Sequence, residues 1–342
     1  FTAKEALFTA STRVMLDPSC SAHGFWQNAA REGWVIIPQD DPTLLPKACK
    51  NAQELAGMVA APQVDGLAVT RFLHWLDTRF YEGKFCDELA VVTKLEEFRR
   101  QHPQYLGASF PTIAGAGEHG AIVHYRANAG SNRTTRAGEL LLLDSGGQYH
   151  AGTTDITRTV FVPAPKGGKP AATMVEHFTR VLKGHIAIAS AQFPQGTTGT
   201  QLDVLARQFL WQAGLDYDHG TGHGVGAYLC VHEGPQRISK RGSSIALQEG
   251  MILSNEPGVY LPGHYGIRIE NLVTVIRLPR EHESQQFLGF KTITLAPIDT
   301  RLIDVSMLTS QERNWLNAYH QQVYKNFASS LDNDAMRWLG NA

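Results

Sequence analysis

The stretch ELLLLDSGGQYHAGTTDIT, residues 139–157, decides the fold prediction. Its four leucines predict a very apolar strand that ends at the carboxylate of Asp144. A glycine-containing turn follows, and the β-branched run around Asp155 predicts a return strand. A hairpin of this kind would bring Asp144 and Asp155 to one end and one face of a sheet, although they are eleven positions apart.

Two more acids occur in the same kind of context. Glu256 ends the apolar run 251–255, and Glu270 lies inside a predicted strand over residues 267–276. Buried carboxylates are rare, because an unpaired charge in a dry site costs several kcal/mol or more. Taken singly, each acid is more simply interpreted as a solvated strand-end or turn residue, but their joint occurrence favours a shared site.

Four acids in such a site need cations. The cations that lie close in sequence are Arg158 and Arg268, and two guanidiniums cannot neutralise four carboxylates. Two divalent ions could do so. Carboxylate-rich ligands favour hard metals such as Mn²⁺ over a purely structural zinc site.

The loop HGTGHGVG, residues 219–226, carries two imidazoles four positions apart. Its glycines allow a close approach to a ligand, and it lacks the Lys-Ser/Thr ending of a phosphate-binding loop. We therefore interpret one of these imidazoles as a metal ligand. His124 and His232 each follow apolar residues. Either one, taken alone, is more simply interpreted as a core histidine that is hydrogen-bonded to a backbone carbonyl.

The bulk composition excludes several classes of function. The chain has 342 residues, 43% of them hydrophobic and 18% charged, as expected of a folded domain. Its formal charge of −1 offers no electrostatic attraction to nucleic acid or an anionic membrane, so neither partner is expected. No apolar run is long enough to span a bilayer. Four scattered cysteines predict reduced core thiols in a cytoplasmic protein: Cys20, Cys49, Cys86 and Cys230.

The hydrophobic periodicity predicts an α+β fold, with helices over one face of a mainly antiparallel sheet. The order helix then strand pair occurs twice, which suggests an internal twofold similarity. The predicted helices of the main domain cover residues 45–60, 63–81, 87–101, 173–191, 202–213 and 311–327. The predicted strands of that domain cover residues 120–124, 139–144, 154–162, 251–255, 267–276 and 291–295.

Two domains are expected. Residues 1–45 read as strand, helix, strand and are too few for a good core, so we expect them to be the remnant of a preceding α/β domain. Residues 46–342 are expected to form the catalytic domain, with a helical extension from about residue 300. The aromatic residues Trp315, Tyr319 and Trp338 are consistent with either a homodimer contact or packing within the domain.

Taken together, these motifs resemble the pita-bread metallopeptidases, and within them the long, eukaryotic-type Xaa-Pro aminopeptidases. The resemblance is carried by FPTI at 110–113, GAIVHY at 120–125, DSGGQY at 144–149, GTTDITRT at 152–159, residues 219–226, VHEGP at 231–235, NEPG at 255–258 and GIRIEN at 266–271. It implies a curved, mainly antiparallel sheet covered by helices. It also implies hydrolysis of the N-terminal Xaa-Pro bond of peptides with proline at the second position.

The resemblance assigns roles to individual residues. The implied ligands of two divalent ions, Mn²⁺ first with Co²⁺ or Zn²⁺ as alternatives, are Asp144, Asp155, His223, Glu256 and Glu270. A hydroxide shared by the ions would attack the peptide, with Glu256 as general base. His124, His219 and His232 would line the substrate pocket, and His232 and His124 would stabilise the oxyanion. Arg268 is expected to share a strand face with Glu270 and to orient a ligand acid or contact the substrate.

Other interpretations lie on the same fold. A prolidase would cleave only Xaa-Pro dipeptides, and methionine aminopeptidase is a second related enzyme. A metal-free peptide-binding module is an alternative of another class, which the complete set of ligand types disfavours.

Overall fold

A computed structural model describes residues 11–242, 244–279 and 285–341. The chain forms two compact units, one that ends at Lys47 and one that begins at Ala48. In the first unit, strands β1 (Arg13–Leu16) and β2 (Val35–Pro38) pair in parallel, with helix α1 (His23–Arg31) between them in sequence. This is a β-α-β arrangement, as the sequence predicts.

The described strands that follow are short. They are β3 (Tyr105–Ala108), β4 (Ile113–Ala116), β5 (Leu140–Ser145), β6 (Gly147–Tyr149), β7 (Ile156–Phe161), β8 (Gln192–Pro194), β9 (Gly222–Gly224), β10 (Glu233–Ile238), β11 (Ile252–Asn255), β12 (Gly258–Leu261), β13 (Tyr265–Arg268), β14 (Asn271–Leu278) and β15 (Phe287–Thr292). The described helices after α1 are α2 (Leu44–Ala48), α3 (Ala52–Tyr81), α4 (Glu88–Arg100), α5 (Ala172–Ala189), α6 (Gly199–Trp211), α7 (Ser310–Phe327) and α8 (Asn333–Gly340).

The second unit is built on antiparallel sheets. A six-stranded sheet has the order β10-β9-β11-β14-β15-β8, and a three-stranded sheet has the order β4-β5-β7. Two further pairs join β3 with β6 and β12 with β13. All of these pairings are antiparallel.

Strand β5 is buried on both faces, which explains its four leucines. Leu141 and Leu143 pack in one cluster with Phe72 of α3 and Leu95 of α4. Because side chains alternate along a strand, Leu142 points to the opposite face, where it joins a second cluster. Asp144 shares that face with Leu142, so the period of two carries the carboxylate away from the helices α3 and α4.

Two antiparallel strand pairs carry the four acids in the same arrangement. Asp144 lies at the end of β5 and Asp155 immediately before its partner β7. Glu256 follows β11 and Glu270 immediately precedes its partner β14. Each pair therefore presents one acid from each strand at a single end.

One helix is longer than predicted. Residues 52–81 form the continuous helix α3, whereas the sequence predicts two helices, 45–60 and 63–81. The observed break separates α2 (Leu44–Ala48) from α3 and does not fall near Pro62. Pro62 is buried inside the helix, so packing offsets the lost backbone hydrogen bond. The helix begins at a capping box, in which Asn51 and Glu54 each accept a hydrogen bond from the other's backbone N–H.

One predicted strand is displaced, because β15 covers Phe287–Thr292 and not residues 291–295. Two further strand predictions are wrong. Residues 120–124 form no strand; a 3-10 turn, Gly117–Ala121, is followed by a bend, so His124 lies on a loop. The run 267–276 is broken between β13 and β14, which belong to different sheets. Pairing with strands elsewhere in the chain decides both outcomes. Strand β5 pairs with β4 and not with residues 120–124, and β13 and β14 pair with different partners. Arg268 and Glu270 consequently share no strand face.

The cysteines are free thiols, but the prediction of four core thiols is wrong. Cys86 is buried and Cys49 is half-buried, whereas Cys20 and Cys230 are exposed. Among the described residues, no helix combines the length and the apolarity needed to cross a membrane.

The three C-terminal aromatic residues pack within the domain. Tyr319 is buried, Trp315 stacks on it with ring centroids 5.3 Å apart, and the indole of Trp338 donates a hydrogen bond to Asp77. These side chains therefore provide no support for the dimer alternative.

Candidate metal centre

All five predicted ligands line one cavity of about 420 Å³. Asp144 and Asp155 reach it from β5 and from the start of β7, and His223 is the middle residue of β9. The backbone N–H of Glu256 bonds to Thr221 O at 2.8 Å, and the N–H of Glu270 bonds to Thr157 O at 3.1 Å. These bonds join the acids that flank β11 and β14 to the segments that carry the other ligands.

The ligand atoms approach one another closely. His223 Nε2 lies 3.5 Å from Asp155 Oδ2 and 3.4 Å from Glu256 Oε1. Asp155, His223 and Glu270 each offer a ligand atom, and these atoms all lie within 4.8 Å of one another. Carboxylates and an imidazole at such separations can share a divalent ion.

Two hydrogen-bonding features fit a metal site. Asp144 Oδ1 is buried and, within the described residues, has no hydrogen-bond partner, which leaves it open to a cation. His223 Nδ1 lies 2.9 Å from Gly224 O, and since a carbonyl only accepts, Nδ1 must donate. Nε2 is therefore the nitrogen that faces the acids, and in the Nδ1–H tautomer it can offer a lone pair to a metal.

The acids destabilise one another when no cation is bound. Burial, followed by the charges of Asp144 and Glu256, raises the pKa of Asp155 well above its usual value. Burial and the charge of Asp155 do the same to the pKa of Glu270. Burial also raises the pKa of Glu256. Divalent cations would remove this repulsion and favour the ionised forms.

Arg268, Tyr260 and His219 form a chain of hydrogen bonds beside the ligands. Arg268 donates to Asp144 Oδ2 at 2.6 Å and to the Tyr260 hydroxyl at 2.6 Å. The hydroxyl in turn lies 2.8 Å from His219 Nε2, and His219 Nδ1 lies 2.7 Å from Gly220 O. A carbonyl only accepts, so His219 Nδ1 donates to Gly220 O; in the neutral ring, Nε2 then accepts the proton of the Tyr260 hydroxyl. Burial and the charge of Arg268 lower the pKa of His219 to about 3.

The other predicted site residues also line the cavity. The His232 ring is T-shaped against the His223 ring, with centroids 4.2 Å apart. Burial and the neighbouring His223 lower the pKa of His232. His124 is exposed on its loop and faces the same cavity. An apolar wall completes the lining: Phe110, Pro111, Ile113, Val123 and Val231.

Several contributors were missed in the sequence. Thr157 Oγ1 donates to Glu270 Oε2 at 2.8 Å, and Ser254 Oγ donates to Glu256 Oε1 at 3.0 Å. Tyr260 enters the site because β12 pairs with β13 and Tyr260 lies opposite Gly266. The hydroxyls sit two residues from Asp155 and Glu256, a spacing that places them on the same side of an extended chain. No local signal marks Tyr260.

Four carboxylates and one imidazole meet in one cavity of a mainly antiparallel α+β fold, and this donor set is that of a candidate metal-dependent protein. A model of metallopeptidase family M24 matches residues 56–277, and a model of the C-terminal region of peptidase M24 matches residues 286–342. The chain therefore belongs to metallopeptidase family M24, and the predicted α+β pita-bread fold is confirmed.

Comparisons with individual proteins show which members of the family this chain resembles. A probable Xaa-Pro aminopeptidase P from Coprinopsis cinerea is 46% identical over 299 residues, which are 86% of this chain and 47% of that protein. X-prolyl aminopeptidase from Caenorhabditis elegans, described as a cytosolic enzyme with a di-nuclear active site, matches with a TM-score of 0.88 and 39% identity. That match covers 96% of this chain and 53% of the other. A prolidase from Pyrococcus furiosus matches with a TM-score of 0.69 and 26% identity, over 84% of this chain and 77% of the prolidase. The chain spans about half the length of the curated relatives it matches.

Proposed function

We propose that this chain is the catalytic part of an Xaa-Pro aminopeptidase, which hydrolyses the bond between the N-terminal residue and a proline at position two. The observation that carries the proposal is that His223 Nε2 lies within 3.5 Å of both Asp155 and Glu256 in a cavity that Asp144 and Glu270 also line. The likeness to the C. elegans X-prolyl aminopeptidase supports the substrate class.

Two divalent ions, with Mn²⁺ the first candidate, would be held by Asp144, Asp155, His223, Glu256 and Glu270. When bound, such ions supply a nucleophile by lowering the pKa of a water and polarise the scissile carbonyl. The four oxygen-donor side chains match the preference of a hard cation.

Glu256 is proposed as the general base. Its Oε1 accepts a hydrogen bond from Ser254 Oγ, while Oε2 makes no hydrogen bond within the described part of the chain. Oε2 can therefore take the proton of the attacking water and pass it to the leaving proline nitrogen. His232 and His124 are proposed to donate hydrogen bonds to the oxyanion, a contribution typically of about 3 kcal/mol per donor.

The proline ring is proposed to lie against His219 and the apolar wall. Both ring nitrogens of His219 are engaged within the protein, so its imidazole offers the substrate a flat surface and no spare hydrogen bond. A proline amide has no N–H and makes no demand for an acceptor at that position. Val123 and Val231 provide apolar contact for the ring.

The direct test is Mn²⁺-dependent cleavage of an Xaa-Pro-Yaa tripeptide, with the metal content of the same sample measured. Glu256→Gln should reduce kcat by at least about 100-fold when it is compared with wild type at equal metal content, reached with excess Mn²⁺ because Glu256 is also a proposed ligand. Glu249→Gln is the matched control, because Glu249 is exposed and pairs with Arg277. A wild-type protein that binds Mn²⁺ yet cleaves no Xaa-Pro bond would refute the proposal.

A prolidase activity is the second candidate, supported by the match to the P. furiosus enzyme. Cleavage of the Xaa-Pro dipeptide in preference to the tripeptide would favour it. We further propose a cytoplasmic location, since the C. elegans relative is described as cytosolic. A homodimer stays a prediction that light scattering can test.

A further inference from the structure

His185, on helix α5, is completely buried and does not line the cavity. Its Nδ1 lies 3.0 Å from Asn255 O, and its Nε2 lies 3.1 Å from Asn271 Nδ2. Asn255 immediately precedes Glu256, and Asn271 immediately follows Glu270. A single imidazole thus joins the two segments that carry acids at the six-stranded sheet.

The bonds from His185 to Asn255 and Asn271 have directions that follow from partners able only to donate or only to accept. The backbone of Ile269 is a further neighbour of the ring. Arg158 Nη2 donates to Asn271 Oδ1 at 2.9 Å, so the amide of Asn271 turns its Nδ2 towards His185. Nδ2 is a donor, and His185 Nε2 must accept. Nδ1 must then carry the proton and donate it to the carbonyl of Asn255, which only accepts. Asn255 returns a bond from its own Nδ2 to His185 O at 2.9 Å.

We propose that His185 is a positioning residue that, as the neutral Nδ1–H tautomer, holds Glu256 and Glu270 in the relative placement that metal binding requires. The inference rests on the proposed metal site and not on the substrate. Hydrogen bonds made by groups behind a ligand commonly orient that ligand and control metal affinity. In agreement, burial and the charge of Arg158 lower the pKa of His185 to about 3, so the ring is neutral.

A simpler role would be core packing alone. His185 lies edge-on to Trp315, with ring centroids 5.9 Å apart, and a core histidine of that kind would contribute to folding stability only. Metal affinity and folding stability therefore have to be measured separately.

The first measurement concerns the tautomer in the metal-free protein. Two-bond ¹H–¹⁵N correlation spectra of the histidine-labelled chain should show His185 protonated at Nδ1 and unprotonated at Nε2. The spectrum of His185→Gln assigns the signal. An Nε2–H tautomer would contradict the bridge, whatever the enzyme does.

The second measurement is Mn²⁺ affinity by calorimetry, with the free energy of unfolding measured on the same metal-free samples. His185→Ala removes both bonds, and we expect its affinity to fall about 10- to 100-fold. His185→Gln keeps an acceptor for Asn271 and should lose less. His177→Ala is the matched control on the same helix, because His177 bonds to the Tyr265 hydroxyl at 3.0 Å, away from the acids. Its affinity should match that of the wild type.

The outcomes separate this inference from the proposed function. Wild-type Mn²⁺ affinity in His185→Ala, with only a lower free energy of unfolding, overturns the positioning role. If the order of affinities is as expected but no Xaa-Pro bond is cleaved, the proposed function fails and the role of His185 stands.

Discussion

Arg268 Nη2 lies 2.6 Å from Asp144 Oδ2, although 124 positions separate the two residues in the chain. The guanidinium is buried and holds one carboxylate oxygen, while the other, Oδ1, is buried with no partner among the described residues. The pair therefore fixes the orientation of Asp144 and leaves one oxygen for a cation. Arg268 was expected to act through a strand face shared with Glu270; it contacts Asp144 from the end of β13 instead.

Replacing Arg268 should weaken metal binding. Arg268→Ala leaves the Asp144 carboxylate unoriented, and we expect Mn²⁺ affinity to fall about 10- to 100-fold by calorimetry. Arg268→Lys keeps the positive charge but loses the planar guanidinium, so its Mn²⁺ affinity should lie between that of the wild type and that of Arg268→Ala. Arg277→Ala, at an exposed pair with Glu249, is the control. Unchanged affinity in Arg268→Ala would mean that Asp144 needs no help from the guanidinium.

Tyr260→Phe should affect the substrate more than the metal. The change removes the hydroxyl that links Arg268 to His219 and releases the His219 ring. We expect kcat/KM for an Xaa-Pro-Yaa peptide to fall about 10-fold, equivalent to the loss of one or two hydrogen bonds. Tyr265→Phe removes a hydroxyl from the paired strand β13 and serves as the control. Equal kinetics in the two variants would count against a role for Tyr260.

Removing one acid should stabilise the metal-free protein at neutral pH. The pKa of Glu270 is higher in the folded than in the unfolded state. The contribution of Glu270 to the free energy of unfolding is therefore complete below the unfolded pKa of about 4 and is lost as pH rises through the folded pKa. Metal-free Glu270→Gln should therefore gain stability relative to wild type between about pH 4 and pH 7. Thermal unfolding in a chelator measures the difference, with exposed Glu249→Gln as the control. A difference that does not change with pH would exclude repulsion at Glu270.

The same acids make metal stabilisation depend on pH. Binding requires ionised carboxylates, so saturating Mn²⁺ should raise Tm more at about pH 7.5 than at about pH 5. In Glu270→Gln the increase should be smaller at both values. A larger increase at low pH would contradict this ligand set.

Lys50 and Glu233 form a buried ion pair whose side chains are 1% and 6% exposed. Lys50→Met would leave a buried carboxylate without its cation, and we expect it to cost about 3–5 kcal/mol in the free energy of unfolding. The double replacement Lys50→Met with Glu233→Leu should cost less than Lys50→Met alone. Lys84→Met, at an exposed pair with Glu82, should change stability by less than about 0.5 kcal/mol. If the double replacement cost as much as its two single replacements together, Lys50 and Glu233 would not be coupled.

Local patterns predicted the elements whose pairing partners lie nearby or whose periodicity is strong. Helix α7 (Ser310–Phe327) and strand β5 match their predictions to within a residue or two, because the amphipathic stripe and the run of leucines are properties of a single segment. The break between Arg268 and Asn271 was missed, since the residues on both sides favour strands equally. Only the separate partners of β13 and β14 divide them.

By itself the sequence determined the donor types of the site, the family likeness and the placement of each acid beside a strand, because these depend on residue identity and short-range spacing. Only the tertiary structure showed which groups surround the proposed ligands. Arg268 contacts Asp144, Tyr260 lies between Arg268 and His219, and His185 lies between the two asparagines beside Glu256 and Glu270. Hydrogen bonds of this kind join residues as much as 124 positions apart. Their geometry follows from sheet pairing and helix packing, which no local propensity encodes.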